Sequence, residues 1–225
     1  KAISVQDGVA GRLVRVADGE YTSDAIGHDG TTRRIVLTNS VIVSSVNGPG
    51  QTIIDGGHDG ACVYVEDGSM LSGFTLTRGR TATGSGGGVY CEPEGVVSNC
   101  VLIDNVAFVG GGAFGGTLHS CHVTENESRG YAGGVSGCTV YSSLITSNNC
   151  NAYEGGGAAN SVLHRCVLSG NHARDNGGGA YHCTLRSCLI RDNMSDDSGG
   201  GAHGSELFNC TVTENWARMR GGGTR

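Results

Sequence analysis

The chain repeats one motif, and its copy at residues 163–179 reads LHRCVLSGNHARDNGGG. In this copy an apolar residue, a cysteine, a second apolar residue and an asparagine precede a run of three glycines. Six copies occupy residues 97–223, and their asparagines mark the period. These are Asn105, Asn126, Asn148, Asn171, Asn193 and Asn215, at spacings of 21, 22, 23, 22 and 22 residues. Self-similarity at a nearly constant spacing is the signature of a solenoid, in which each repeat forms one turn.

Each copy of the motif predicts short strands rather than helices. Residues 166–169 and 210–213 alternate between inward and outward residue types, which favours strands. The glycine run opposes helix formation and leaves no room for the helical return of a leucine-rich repeat. We therefore predict an all-β solenoid, a parallel β-helix, with about 22 residues per turn. Each turn should hold about three strands, and strands of successive turns should lie about 4.8 Å apart.

Stacked turns place equivalent residues in columns along the solenoid. The predicted interior columns are Val97, Leu118, Val140, Leu163, Leu185 and Leu207; Cys100, Cys121, Ser143, Cys166, Cys188 and Cys210; and Leu102, Val123, Ile145, Leu168, Ile190 and Val212. The six asparagines should form a ladder at a bend. An amide both donates and accepts hydrogen bonds, so it can bond from turn to turn, and Asn also tolerates the left-handed backbone conformation.

We expect one elongated domain over residues 1–225. Residues 1–31 should form an N-terminal cap, with a short helix at 2–5, a strand at 13–16 and a turn at 17–21. Residues 32–96 should form irregular early turns, and residues 97–225 the regular repeats. The first copy of the motif places Phe74, Leu76 and Gly79 in the Cys, Val and Asn columns. Sizeable departures from the repeat occur only at 22–33 and 77–96.

The Gly-Gly-Gly runs and the Cys-x-Val-x-x-Asn units, together with the Val16–Tyr21 segment, resemble those of a known group. The chain is similar to right-handed parallel β-helix proteins of the pectate-lyase-like superfamily, and in particular to bacterial surface proteins such as the polymorphic outer-membrane proteins. This resemblance implies right-handed coiling and a location outside the cell or on a bacterial cell surface. It implies little about activity, because the superfamily includes lyases, glycosidases, esterases and adhesins.

The chain stops within a repeat, at Gly223-Thr224-Arg225, without a recognisable cap. An uncovered solenoid end exposes unpaired strand edges. We expect the chain to be a fragment of a longer protein. The alternative is that another copy covers the end, which would give end-to-end association into filaments.

Composition excludes several classes of function. The formal net charge of −6 disfavours nucleic acid as a partner. No apolar run approaches the length of a membrane span. The ten cysteines lack metal-site spacing, because no Cys-x-x-Cys pair occurs, so we predict no metal site. Stacked cysteines are within disulfide distance, but their side chains point the same way, so we expect free thiols that fill the core. Cys150 lies off the register and is expected to be an exposed thiol.

One outward column carries the candidate functional residues: Ser98, His119, Tyr141, His164, Arg186 and Phe208. Tyr141, His164 and Arg186 lie on consecutive turns, where a Tyr or His base beside an Arg that neutralises a carboxylate suits β-elimination on a uronic acid. His119, joined by His122 one column over, is a candidate ligand-binding pair. The simpler alternative is a polar surface row without activity.

The acids before the ladder offer a further candidate. Asp104 with Glu125, or Asp192 with Glu214, has the residue types for a glycosidase pair or a Ca²⁺ site. No motif supports calcium, and solvated turn residues are the simpler interpretation, so we expect no cofactor.

The sequence therefore favours a secreted or cell-surface solenoid with a structural, adhesive or glycan-binding role. Its expected partners are polysaccharides or host-cell glycans. The alternatives are a polysaccharide lyase or glycoside hydrolase that acts on an outward sheet face, and a self-assembling filament subunit.

Overall fold

The structure, a computed structural model, describes residues 12–22, 26–28 and 30–225. Within these residues the chain forms short β-strands and no helix. The strands make four sheets, which we number 1 to 4 in the order in which a regular turn passes through them. Neighbouring strands are parallel, apart from the antiparallel pair Ile26–His28 and Thr31–Leu37.

The strands of each sheet follow one another along the solenoid. Sheet 1 contains Leu13–Val16, Ile42–Ser45, Met70–Ser72, Val96–Ser98, Thr117–His119, Thr139–Tyr141, Val162–His164, Thr184–Arg186 and Glu206–Phe208. Sheet 2 contains Gly19–Tyr21, Thr52–Asp55, Thr75–Thr77, Val101–Ile103, His122–Thr124, Leu144–Thr146, Val167–Ser169, Leu189–Arg191 and Thr211–Thr213. Sheet 3 contains Val106–Val109, Glu127–Tyr131, Asn149–Cys150, His172–Ala173, Met194–Ser195 and Trp216–Ala217. Sheet 4 contains Ile26–His28, Thr31–Leu37, Ala61–Val65, Val89–Cys91, Ala113–Phe114, Val135–Ser136, Ala158–Ala159, Ala180–Tyr181 and Ala202–His203.

The predicted all-β parallel solenoid is confirmed, with successive turns in register at the predicted period. Leu118 pairs with Val140, and Val140 pairs with Leu163, so the same interior position recurs from turn to turn. A regular turn has four strands rather than the expected three. The additional strand, in sheet 3, is often only two residues long, so alternation along the sequence did not reveal it.

The predicted interior columns form the core. The middle residues of the sheet 1 and sheet 2 strands, such as Leu118 and Val123, are fully buried. Sheet 4 contributes a third apolar column. Its side chains become smaller towards the C-terminal end, where the column consists of Ala158, Ala180 and Ala202. Because each column stacks like on like, the core is continuous along the solenoid and each turn depends on its neighbours.

The predicted asparagine ladder is confirmed in detail. From Asn105 to Asn193, each amide nitrogen donates to the Oδ1 atom of the next asparagine, at 2.9 Å from Asn126 to Asn148 and 3.0 Å from Asn148 to Asn171. The same Oδ1 atom also accepts the backbone N–H of the preceding asparagine, at 3.0 Å for Asn126. The amide of Asn148 donates a second bond to the carbonyl oxygen of Val123, at 2.9 Å. The ladder therefore satisfies backbone groups that the bend would otherwise leave unpaired in the core.

We expected the left-handed backbone conformation at the asparagines. The structure instead has it at the residue before each asparagine. These residues are Asp104, Glu125, Ser147, Gly170, Asp192 and Glu214, with φ between 54° and 65°. The preceding residue turns the backbone, and this turn directs the amide of the asparagine inward. The acids that we considered as paired carboxylates are therefore exposed corner residues, in agreement with the simpler interpretation.

The glycine runs pack against this ladder. The first glycine of a run, such as Gly155, adopts a positive φ of 77°. A Cβ atom on the last glycine, Gly157, would lie 2.6 Å from the carbonyl oxygen of Gly179 and 2.9 Å from the amide nitrogen of Asn171. Only glycine fits here, because the backbone of one turn lies directly against the amide of the ladder.

None of the ten cysteines, all of which lie in the described part of the chain, forms a disulfide. They do more than fill the core. The backbone N–H of Cys166 donates to Sγ of Cys188 at 3.4 Å, and the backbone N–H of Cys121 donates to Oγ of Ser143 at 3.0 Å. Serine can replace cysteine at residue 143 of this column because either side chain accepts that bond.

The expectation that Cys150 is exposed was wrong. Its side chain is fully buried and donates to the carbonyl oxygen of Gly130 at 2.9 Å. It belongs to a column of small residues in sheet 3 that the sequence analysis missed: Ala107, Ser128, Cys150, Ala173, Ser195 and Ala217. Each of these residues lies two positions after a ladder asparagine, so the signal was present in the repeat.

The first turns agree only in part with expectation. The strand at Leu13–Val16 is confirmed, but Gly19–Tyr21, expected within a turn, is a strand of sheet 2. The helix expected at residues 2–5 lies outside the described residues. Phe74, Leu76 and Gly79 take the predicted columns, because they contact Cys100, Leu102 and Asn105 of the next turn.

Candidate functional site

The predicted outward column lies on sheet 1, at the last residue of six consecutive strands. The middle residue of each strand points into the core, so the alternation of a β-strand directs the last residue outward. The register pairs His119 with Tyr141, Tyr141 with His164, and His164 with Arg186. We call the residues from His119 to Phe208 in this column the sheet 1 row.

The aromatic rings of the sheet 1 row stack on one another. The ring centroids of His119 and Tyr141 are 4.7 Å apart with an interplanar angle of 9°, and those of Tyr141 and His164 are 4.9 Å apart at 11°. The guanidinium of Arg186 lies over the ring of Phe208, 4.2 Å from its centroid. The faces of the Tyr141 ring are therefore covered by its neighbours, whereas hydroxyl and imidazole nitrogen atoms lie at the ring edges.

The structure brings Tyr141, His164 and Arg186 onto adjacent strands, as the spacing required. Tyr141 and His164 are half-buried in the row, and Arg186 is exposed. Three cavities that the described residues form lie elsewhere and are lined by other residues. The catalytic role of the three residues stays a prediction.

His122 is placed on sheet 2, beyond the corner at Ser120, and does not extend the sheet 1 row. Its Nε2 atom lies 3.0 Å from Oγ1 of Thr146 on the next turn, whereas the ring of His119 stacks on Tyr141. The two histidines thus have contacts with different neighbours on different sheets. Their proposed joint role in ligand binding also stays a prediction.

A cluster of titratable residues that the sequence analysis missed lies at sheet 4 and the connection before it. The ring of Tyr181 stacks on His203, with centroids 5.7 Å apart, and meets the edge of His182 at 4.3 Å. Burial raises the pKa of Glu154, and the nearby carboxylate of Asp175 raises it further. Burial also raises the pKa of Tyr181 and lowers that of His203.

Apart from cysteines, the described residues with shifted pKa values are Glu154, Tyr181 and His203. Shifted values often accompany functional sites, but they also occur in structural networks. The cluster is on the open surface of sheet 4, its residues come from three consecutive turns, and the residue types at these positions follow no motif. Nothing in the sequence alone therefore indicated it.

Described residues of the two departures from the repeat, at 22–33 and 77–96, line one cavity. Residues 30–32 and 80–84, with Asp59 and Gly60 between them, line a cavity of about 220 Å³ at the N-terminal end of the solenoid. The repeat pattern identified both segments as departures but gave no sign of their contact, because two turns of the chain separate them.

The described residues include no group of three or more His, Cys, Asp or Glu side chains placed to hold a metal ion. No helix among them is long and apolar enough to cross a membrane. Comparisons with models of protein families, with curated proteins and with solved structures find no match to this chain. The strand pairing thus establishes the parallel β-solenoid, while the relationship to the pectate-lyase-like superfamily and to outer-membrane repeats stays a prediction.

Proposed function

We propose that the chain is a structural β-solenoid of a secreted or cell-surface protein and that it binds an extended glycan along the sheet 1 row. The fold supports the structural part of this proposal. Nine parallel strands in sheet 1, spaced about 4.8 Å apart, give a rod about 40 Å long. The asparagine ladder and the apolar columns run through it without interruption from Asn105 to Asn215.

The sheet 1 row is the observation that carries the binding part. It presents one polar or aromatic side chain per turn in a straight line along the solenoid, and an extended polysaccharide presents hydroxyl groups at a comparable repeat. Because the rings cover one another's faces, recognition would use hydrogen bonds to the ring edges rather than stacking of sugars on the rings. Arg186 adds five N–H donors to this line.

A direct test uses a glycan array followed by affinity measurements on the strongest polysaccharide. Tyr141→Phe keeps the stacked ring and removes only its hydroxyl group, so the affinity should fall roughly two- to tenfold. Tyr153→Phe is the matched control, because the ring of Tyr153 is also stacked, on Tyr131 at 4.9 Å, and its exposed side chain lies away from sheet 1. Absence of binding to all polysaccharides by the folded protein, or equal losses in the two variants, would refute binding along the row.

A second candidate function is a polysaccharide lyase or glycoside hydrolase. The observation that favours it is the contact between the rings of Tyr141 and His164, with Arg186 on the next turn after His164. Acidic and neutral polysaccharides would be incubated with the protein, with and without Ca²⁺, while unsaturated uronate and new reducing ends are followed. Activity that disappears in both His164→Ala and Arg186→Ala would establish this function. Electron micrographs of the same samples would reveal filaments if the chains associate end to end.

A further inference from the structure

The cavity at the N-terminal end is built where the regular repeat is interrupted. Thr31 and Thr32 approach it from one segment, and Arg80, Thr81 and residues 82–84 approach it from the other. Its volume of about 220 Å³ corresponds to roughly seven water molecules. This size suits one small ligand, such as a single sugar residue, rather than a polymer.

Among the described residues, the cavity is lined by one acidic side chain, Asp59, and by one basic side chain, Arg80. The neighbouring Arg34 is paired with Asp59, and Arg78 is paired with Asp55 and Glu20. The exposed guanidinium of Arg80, by contrast, has no ion-pair partner among the described residues. A free guanidinium offers a planar pair of N–H donors that matches carboxylate or sulfate oxygens.

The cavity also contains a hydroxyl group that the protein does not satisfy. Thr81 is 5% exposed, and its Oγ1 atom has no hydrogen-bond partner among the described residues. A Cβ atom built on Gly84 would lie 3.6 Å from this Oγ1 atom and 3.7 Å from Oγ1 of Thr31, so hydroxyl groups from both segments converge at one wall of the cavity. A buried polar group without a partner is costly, and a hydroxyl both donates and accepts.

We propose that this cavity binds a small anionic ligand that also carries hydroxyl groups, namely a carboxylated or sulfated monosaccharide unit. Arg80 binds the oxyanion, and the threonine hydroxyls, including that of Thr81, bind the hydroxyl groups of the sugar. This site is separate from the sheet 1 row, because its residues belong to sheet 4 and to the connections around it. It does not depend on the proposed binding of a polysaccharide.

Calorimetric titration with glucuronate, glucose 6-sulfate, glucose and inorganic sulfate tests the proposal. At least one of the two charged sugars should bind saturably, and glucose and inorganic sulfate should each bind at least about tenfold more weakly. Preference for glucuronate would identify a carboxylate ligand, and preference for glucose 6-sulfate a sulfate ligand. No saturable binding of either charged sugar up to roughly 10 mM would overturn the proposal.

Variants locate the site. Arg80→Gln should weaken binding about tenfold or more, because a hydrogen bond to a charged group is lost, while only the backbone of Arg80 takes part in strand contacts. Gly84→Leu should abolish binding, because the leucine side chain would enter the cavity that Gly84 lines. The variant should still fold, because a Cβ atom at residue 84 has ordinary contact distances of 3.4 Å or more. If circular dichroism shows that Gly84→Leu is misfolded, Gly84→Ala takes its place.

Arg129→Gln is the matched control, because Arg129 is an exposed arginine on sheet 3 that lines none of the three cavities. An equal loss of affinity in Arg129→Gln and Arg80→Gln would mean that binding is non-specific, and full binding by folded Gly84→Leu would place the ligand elsewhere. Tyr141→Phe should bind the charged sugar normally. Failure of the row and failure of this cavity are therefore distinguished by separate ligands and separate variants.

Discussion

Asn148, in the middle of the ladder, offers the sharpest test of how the solenoid is held together. Its amide nitrogen donates to Oδ1 of Asn171 and to the carbonyl oxygen of Val123, and its Oδ1 atom accepts both the backbone and the side-chain N–H of Asn126. Asn148→Ala removes all four bonds. The substitution is confined to a buried side chain, so it leaves the outward faces unchanged.

The expected cost follows from the groups that lose their partners. The side chain of Asn126 retains bonds to two carbonyl oxygens, and Oδ1 of Asn171 retains the backbone N–H of residue 148. The backbone N–H of Asn126 loses its acceptor inside the protein, and the carbonyl oxygen of Val123 loses a donor. At about 1–3 kcal/mol for each buried group, Asn148→Ala should lower the free energy of unfolding by about 3 kcal/mol.

Asn215→Ala deletes the same atoms at the last turn and is the matched control. Asn215 is half-buried, and its bonds to Asn193 and Ile190 are only partly enclosed, so water replaces them in the variant. Its cost should be about 1 kcal/mol. Urea unfolding followed by circular dichroism measures both values. If Asn148→Ala costs no more than Asn215→Ala, the ladder is not a stabilising element and the reasoning fails.

Three further predictions concern packing, pH and thiols. Gly157→Ala should lower the free energy of unfolding, measured by urea denaturation, by about 2 kcal/mol, because its Cβ atom would lie 2.6 Å from a backbone oxygen. A change below roughly 0.5 kcal/mol would contradict the close packing. Folding favours the protonated form of Glu154, because its pKa is raised in the folded protein. The stability that Glu154 contributes is therefore complete below pH 4.5 and is lost as the pH rises through the raised pKa. Glu154→Gln should raise the melting temperature near pH 7 and leave it unchanged near pH 4. In alkylation followed by mass spectrometry, partly exposed Cys210 should react first and all ten thiols should react after denaturation without reductant; fewer than ten would reveal a disulfide.

The pH of alkylation provides a further check on the buried thiols. Burial raises the pKa of Cys62, Cys91 and Cys183 to about 12 in each case. Because the thiolate is the reactive form, these three thiols should remain unreactive in the folded protein at pH 8.

The repeat in the sequence determined the period, the apolar and cysteine columns, and the asparagine ladder. A solenoid turn lies on another copy of itself, so each inward position must suit the same position one period later. Leu163 must stack between Val140 and Leu185 whatever the path of the corners, and the sequence therefore predicted the register directly.

The tertiary structure alone decided features that depend on the path of the backbone between those columns. It placed the positive φ at Glu125 rather than at Asn126, and it buried Cys150 on a two-residue strand of sheet 3. It also stacked the ring of Tyr141 between His119 and His164, and it brought Thr31 to the same cavity as Thr81. Corner direction and ring orientation depend on contacts with neighbouring turns, and a period read along the chain contains no information about those contacts.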